Sequence, residues 1–159
     1  KDGDTAAYRT GCIPAGAPSP AVVTETEQAI LVFEQAMHAF ELHHALGVCD
    51  ELLRSANKRW SDASKAAQNA EDDGAMAQAL VDAFHQLRAA TVLMHGIVPA
   101  GCEKICEHFA IAPEVFFSWD NIFKTSDELV AGLGEQAGEH RVKPLPPRFD
   151  FFEKHPSQF

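Results

Sequence analysis

The chain has 159 residues, of which 46% are hydrophobic and 23% charged, the composition of one globular domain with an ordinary apolar core. Its 13 Lys and Arg residues against 23 Asp and Glu residues give a formal net charge of −10, which excludes a protein whose whole surface binds nucleic acid. The sequence has no uninterrupted apolar run of about 18 residues, so no membrane span is predicted.

Cysteine usage indicates the compartment. The four Cys residues do not form the pattern of a secreted disulfide framework, so we expect a reducing compartment, the cytoplasm or the mitochondrial matrix, and not secretion. The chain begins at Lys1 without an initiator Met, which is expected of a processed protein, a fragment or part of a longer chain. These three alternatives stay open.

The first half of the chain predicts two helices. Residues 1–23 mix Gly, Pro, Ala and Ser without a helical apolar period, so an extended lead-in is predicted there. Thr24 followed by Glu27 is typical of a capping box and predicts a first helix over residues 25–39. A tight corner is predicted at Phe40 and Glu41, before a second helix that ends near Trp60. The two predicted core faces are Ile30, Phe33, Met37 and Phe40, then Leu42, Leu46, Cys49, Leu53, Ala56 and Trp60.

The second half predicts a long helix, a short helix and a tail. The polar stretch after Trp60 predicts a loop, and a third helix, expected to be the longest, follows over residues 75–98. Pro99 and Gly101 predict a turn before a short helix over residues 102–109, which Pro113 ends. The Gly-rich and Pro-rich residues 132–159 predict an extended tail packed on the bundle by Leu145, Phe149, Phe151 and Phe152. The predicted fold is an all-α antiparallel helix bundle, with a lead-in (1–23), a bundle domain (24–131) and a tail (132–159).

One short segment has the chemistry of RNA recognition. Asn57, Lys58, Arg59 and Trp60 combine an amide, two cations and an aromatic ring, as proteins that bind single-stranded RNA do. The segment is predicted to lie at a helix end. The alternative interpretation is that Trp60, which continues the apolar stripe, closes the core.

The remaining reactive residue types favour structural roles. Cys102 and Cys106 are four residues apart on one helical face and could join a His in a zinc site, but core thiols are the favoured interpretation. Surface or corner positions are predicted for His43, His44, His85 and His95. No catalytic residue, metal or cofactor is predicted. The aromatic residues Trp119, Phe123, Phe149, Phe151 and Phe152 suggest either a docking strip for a partner or intramolecular packing, which is favoured.

Four segments resemble the C-terminal part of bacterial-type methionyl-tRNA synthetases: SANKRWSDASK (55–65), VDAFHQLRAATVLMHGIVPAGCEKI (81–105), FFSWDNIFK (116–124) and LPPRFDFFEKHPSQF (145–159). The resemblance runs from GCIPAG to the last residue. It implies the helical anticodon-binding domain of a class I synthetase, which in the family packs beside a Rossmann-type catalytic domain.

The chain departs from that family in three respects. It has no HIGH-like or KMSKS-like motif, since His95 and Gly96 match only two letters, so this chain alone is not expected to aminoacylate tRNA. The helix that carries the family's anticodon-facing Asn and Arg has no counterpart. The family's Pro-Trp pair is also absent, and Trp60 lies earlier than that pair.

Two functions are therefore expected as alternatives. The first is a non-catalytic anticodon-binding domain that contacts methionine tRNA beside a catalytic domain outside this chain. The second is a synthetase-derived relic that serves as a structural subunit of a larger assembly, mitochondrial or otherwise organellar, whose partners are neighbouring subunits. The net charge of −10 and the missing reading helix favour the second.

Overall fold

A computed structural model describes residues 11–144 of the chain. Within these residues the fold is all-α, as predicted, and contains no β-strand. Its six α-helices are α1 (Pro20–His38), α2 (Leu42–Ala70), α3 (Asp73–His95), α4 (Pro99–Phe109), α5 (Pro113–Phe116) and α6 (Ser126–Gly132). Single 3-10 turns lie at Trp119–Asn121 and Ala137–Glu139. None of these helices is both long and apolar enough to cross a membrane.

Helix α3 is the central element of the bundle. It packs against α1, α2, α4 and α6, and its most extensive contact is with α2. Because neighbours surround it, its buried residues cover most of its circumference and include Asp82, His85, Gln86 and Arg88. In the sequence these four polar residues interrupt the apolar pattern of the helix. They are instead enclosed, and the surface position predicted for His85 is wrong.

Helix α1 begins five residues before its predicted start, because a tertiary contact caps it. Pro20 occupies the first turn, where a missing N–H costs nothing, and Ser19 precedes it as the N-cap residue. The carboxylate of Asp82 in α3 accepts hydrogen bonds from the Ser19 backbone N–H (2.7 Å) and hydroxyl (2.8 Å). Thr24 and Glu27, predicted as a capping box, are exposed residues within the helix. Thr125 and Glu128 form a capping box at the start of α6.

The turn between α1 and α2 lies where it was predicted and is closed by an unusual residue. Phe40 has φ 60°, in the left-handed region, and its N–H bonds the carbonyl of Met37 while the N–H of Glu41 bonds that of Ala36. This is a Schellman motif with Phe in the position that Gly usually occupies. Phe40 is 91% exposed, so its predicted place on the core face is wrong.

The predicted apolar stripe of α2 is displaced by about one residue. Ala45, Val48, Cys49 and Leu52 are buried, whereas Leu42 and Leu46 are exposed. The helix also continues through the stretch predicted as a loop and ends at Ala70, which makes α2, with 29 residues, longer than α3, with 23. Alanine-rich sequence has high helix propensity, and the buried Ala67 ties this extension to the bundle.

The short helices pack an aromatic core. Pro99 and Pro113 both stand in the first turns of helices, so Pro113 begins α5 rather than only ending the preceding unit. Phe109, at the end of α4, is fully buried, with ring centroids 5.3 Å from Phe84 and 5.2 Å from Phe116. This cluster joins the central helix to α4 and α5.

The described C-terminal residues pair with the N-terminal ones. Cys12 and Arg141 form an antiparallel bridge, and the Ile13 N–H donates to the His140 carbonyl at 2.9 Å. The His140 ring is buried, with Nδ1 2.6 Å from Glu135 Oε2 and Nε2 3.0 Å from the Phe109 carbonyl. The tail residues predicted to pack on the bundle, Leu145, Phe149, Phe151 and Phe152, lie outside the described residues.

Candidate functional site

The segment predicted to contact RNA lies within α2 rather than at a helix end. Asn57 and Lys58 are exposed to solvent, whereas Arg59 and Trp60 are partly buried. The Arg59 guanidinium pairs with the carboxylate of Glu25 in α1. Its charge is therefore already neutralised within the fold, which weakens it as a phosphate contact. No sequence signal connected residues 25 and 59, since they meet only when α1 packs against α2.

Glu25 is the centre of a polar cluster that joins three helices. One of its oxygens accepts a hydrogen bond from the Ser55 hydroxyl, and the other accepts from Arg59 and, at 3.4 Å, from the Gln86 side-chain amide. Ser55 and Arg59 belong to α2, and Gln86 belongs to α3. A half-buried carboxylate with three donors holds its position, so the cluster acts chiefly as a structural clamp.

Lys58 forms part of a longer charged row that sequence analysis missed. Arg54, Lys58 and Lys65 are exposed at positions of α2 that share one face. Asp50 and Asp62 lie on the same row, and Arg54 Nε pairs with the Asp50 carboxylate at 2.7 Å. The row therefore carries mixed charges, and its Lys residues are the cations left for a phosphate. Helical spacing of charges was the signal that could have revealed it.

A groove runs between α1 and α2 beside the Glu25 cluster. It has a volume of about 220 Å³ and is open to solvent. We call it the α1–α2 groove. Its apolar lining is Ala29 and Val32 from α1 with Val48 and Leu52 from α2, and its polar lining is Glu25, Gln28 and Glu51.

Exposed apolar side chains gather at the turn between α1 and α2. We call Met37, Phe40, Leu42 and Leu46 the corner patch; their exposed fractions are 37%, 91%, 57% and 42%. Isolated exposed apolar residues are ordinary on protein surfaces, whereas several around one turn are typical of a contact surface.

The segment SWDNIF, residues 118–123, is held in place by a buried arginine. Arg88 is 1% exposed, and its guanidinium donates hydrogen bonds to the carbonyls of Phe116 (3.3 Å), Ile122 (3.1 Å) and Lys124 (2.9 Å). Burial lowers the pKa of Arg88 to about 10, so the group stays charged at neutral pH. With the backbone held from beneath, Trp119 and Phe123 remain 42% and 47% exposed.

The buried thiols lie in the core, as the favoured interpretation predicts. Cys49, Cys102 and Cys106 are at most 1% exposed, and burial raises the pKa of each to about 11. A thiol with such a pKa is protonated at neutral pH and is a poor nucleophile. In the described part of the chain, no group of three or more His, Cys, Asp and Glu residues is placed to hold a metal ion.

The four histidines predicted at surface or corner positions have three different environments. His43 and His44 are exposed near the corner, and the His95 ring stacks on Phe117 with centroids 3.7 Å apart. His85 is 3% exposed, and neither ring nitrogen has a hydrogen-bond partner among residues 11–144. Burial, followed by the charge of Arg88, lowers the pKa of His85, which favours a neutral ring.

No family model matches the sequence, and no curated protein matches it significantly. The resemblance to methionyl-tRNA synthetases stays a prediction, and the contacts described above are the basis for inferring function.

Proposed function

We propose that this chain is a non-catalytic helical domain that serves as a structural subunit and docks on neighbouring proteins of a larger assembly. The observation that carries the proposal is the corner patch, where Phe40 is 91% exposed beside three further exposed apolar residues. Exposing such a patch to water costs free energy that burial against a partner recovers. The raised thiol pKa values and the enclosed His85 agree with a role other than catalysis.

The kind of assembly comes from the sequence resemblance. Four segments that resemble methionyl-tRNA synthetases favour the translation machinery of the cytoplasm or the mitochondrial matrix. The net charge of −10 favours contact with protein, or with a basic surface, over contact with exposed RNA phosphates.

Sedimentation of the tagged full chain from its native source tests the subunit role. We expect it to co-sediment with a stable multi-subunit complex. Phe40→Ser combined with Leu42→Ser is expected to shift most of the chain to the position of the free protein, because both side chains are exposed and the fold does not need them. Leu133→Ser, at a 40% exposed apolar position far from the corner in sequence, serves as the matched control.

Two results would contradict this proposal. One is a wild-type chain that sediments alone. The other is a double variant that remains in the complex while Leu133→Ser behaves as wild type. Circular dichroism of each purified variant verifies that its helices are intact.

Anticodon contact is a second candidate function, and the exposed Lys58 and Lys65 on one face of α2 favour it. Asn57, exposed next to Lys58 in the sequence, could contact a base edge, whereas Trp60 is half-buried and, two residues after Lys58, lies on a different side of α2 from the two lysines. Arg59 contributes least, because Glu25 already binds it.

Gel shifts with initiator and elongator methionine tRNA test this candidate. Lys58→Ala with Lys65→Ala is expected to weaken binding about tenfold at low salt and to flatten its salt dependence, since two phosphate contacts are lost. Arg54→Ala is the control, because that cation is paired with Asp50. Binding no tighter than to an unrelated tRNA, or unaffected by the double substitution, would rule the candidate out.

A further inference from the structure

The α1–α2 groove has the size and lining for one long side chain. A volume of about 220 Å³ is many times the ~10–15 Å³ that one ordered water needs on the same scale, so the groove has room for an extended side chain. Ala29, Val32, Val48 and Leu52 provide an apolar surface along which a methylene stem can lie.

Charge decides which side chain fits. Glu25 lines the groove, but both of its carboxylate oxygens already accept hydrogen bonds. Glu51 also lines the groove, is exposed, and forms no ion pair with another described residue. The two nearby arginines are engaged elsewhere, Arg54 by Asp50 and Arg59 by Glu25. The groove therefore offers an apolar wall with a carboxylate that lacks a cation.

We propose that the α1–α2 groove binds an arginine side chain presented by a protein partner. Its methylene stem lies against Val32, Val48 and Leu52, and its guanidinium pairs with the carboxylate of Glu51. Arginine fits better than lysine, because its planar guanidinium is less strongly hydrated and can donate two hydrogen bonds to one carboxylate. This inference rests on the proposed docking function and gives that function a specific contact.

The groove and the corner patch have no residue in common, so the two contacts can be tested separately. Gln28 is exposed at the rim of the groove. Replacing it with arginine places a guanidinium from the chain itself beside the groove and should exclude an incoming one. Glu27 lies on the same helix, is exposed, and does not line the groove, so it provides a matched control position for a loss of negative charge.

Methyl NMR spectroscopy of the full chain, titrated with N-acetyl-argininamide, tests the inference. We expect saturable shifts confined to the methyl groups of Ala29, Val32, Val48 and Leu52. Glu51→Gln is expected to weaken the affinity at least threefold, Gln28→Arg to abolish the saturable shifts, and Glu27→Gln to leave them unchanged. N-acetyl-norleucinamide, which has an apolar side chain without the cation, should bind at least threefold more weakly.

Three outcomes would overturn the inference: no saturable shift at these methyl groups, the same affinity for Glu51→Gln as for wild type, or equal affinity for the norleucine compound. The proposed subunit role is judged independently by sedimentation of the corner-patch variants. A failed titration with intact co-sedimentation would remove the arginine contact alone, whereas a chain that sediments alone would remove the docking function itself.

Discussion

Replacing Arg88 with methionine is expected to lower the free energy of unfolding by about 3–5 kcal/mol. Methionine keeps much of the buried volume but supplies no donor. The carbonyls of Phe116, Ile122 and Lys124 then lose the guanidinium to which they are bonded. Each buried carbonyl left without a donor costs about 1–3 kcal/mol, and local relaxation recovers part of the sum. Urea denaturation followed by tryptophan fluorescence measures the change.

Arg54→Ala is the matched control for this prediction. Arg54 is also an arginine on a long helix, but its side chain is 77% exposed and its pair with Asp50 is a surface i,i+4 pair, which contributes little to stability. Arg88→Lys separates charge from geometry, because one ammonium cannot reach three separated carbonyls as a planar guanidinium does. We expect the lysine variant to recover less than half of the loss. Equal stability of Arg88→Met and Arg54→Ala would contradict the anchoring role.

Replacing Phe109 with alanine is expected to cost about 3–5 kcal/mol, the second large effect. The ring is 0% exposed and meets Phe84 and Phe116 in edge-to-face contacts at interplanar angles of 60° and 63°. The substitution leaves a cavity where three elements meet and removes two aromatic pairs, each worth about 0.5–1.5 kcal/mol beyond the area they bury. Thermal and urea denaturation both measure this loss of stability. If the slope of the unfolding free energy against urea concentration is unchanged, the variant exposes as much surface on unfolding as the wild type does.

Phe123→Ala is the comparison for Phe109. Phe123 is 47% exposed and lies in the segment held by Arg88, so its removal should change stability by at most about 0.5 kcal/mol. Phe109→Leu keeps most of the volume and is expected to cost about 1 kcal/mol. If Phe109→Ala and Phe123→Ala were equally destabilising, the buried aromatic cluster would not hold α3, α4 and α5 together as described.

Helix ends were the least predictable part of the fold. Phe40, Glu71 and Ala110 all adopt the left-handed conformation at helix C-termini, where sequence analysis looks for Gly. The hydrogen bonds of the motif are made by the backbone, so tertiary packing can impose them on residues that bear a Cβ. Among the helix ends of residues 11–144, only Gly134, with φ 79°, places the expected residue type in this conformation.

The contacts of the candidate site could not be read from the sequence. The NKRW segment was singled out for its basic and aromatic residues, and whether it contacts RNA stays a prediction. Its most prominent cation, Arg59, is bound by a carboxylate 34 residues earlier in the chain. Such a partner is not visible in a local pattern, because residues far apart in sequence meet only after helices pack.

The sequence by itself determined the all-α class, the corner at Phe40 and Glu41, and the break at Pro99, because helix propensity, apolar periodicity and proline geometry act within a few residues. The tertiary structure decided which faces are buried. Because other helices surround α3, the polar residues Asp82, His85, Gln86 and Arg88 are enclosed. Three of them contact other segments: Asp82 caps α1, Gln86 joins the Glu25 cluster, and Arg88 holds the segment that contains Trp119. These polar groups are buried because burial depends on how many neighbours surround a helix, and that number follows from packing rather than from residue type.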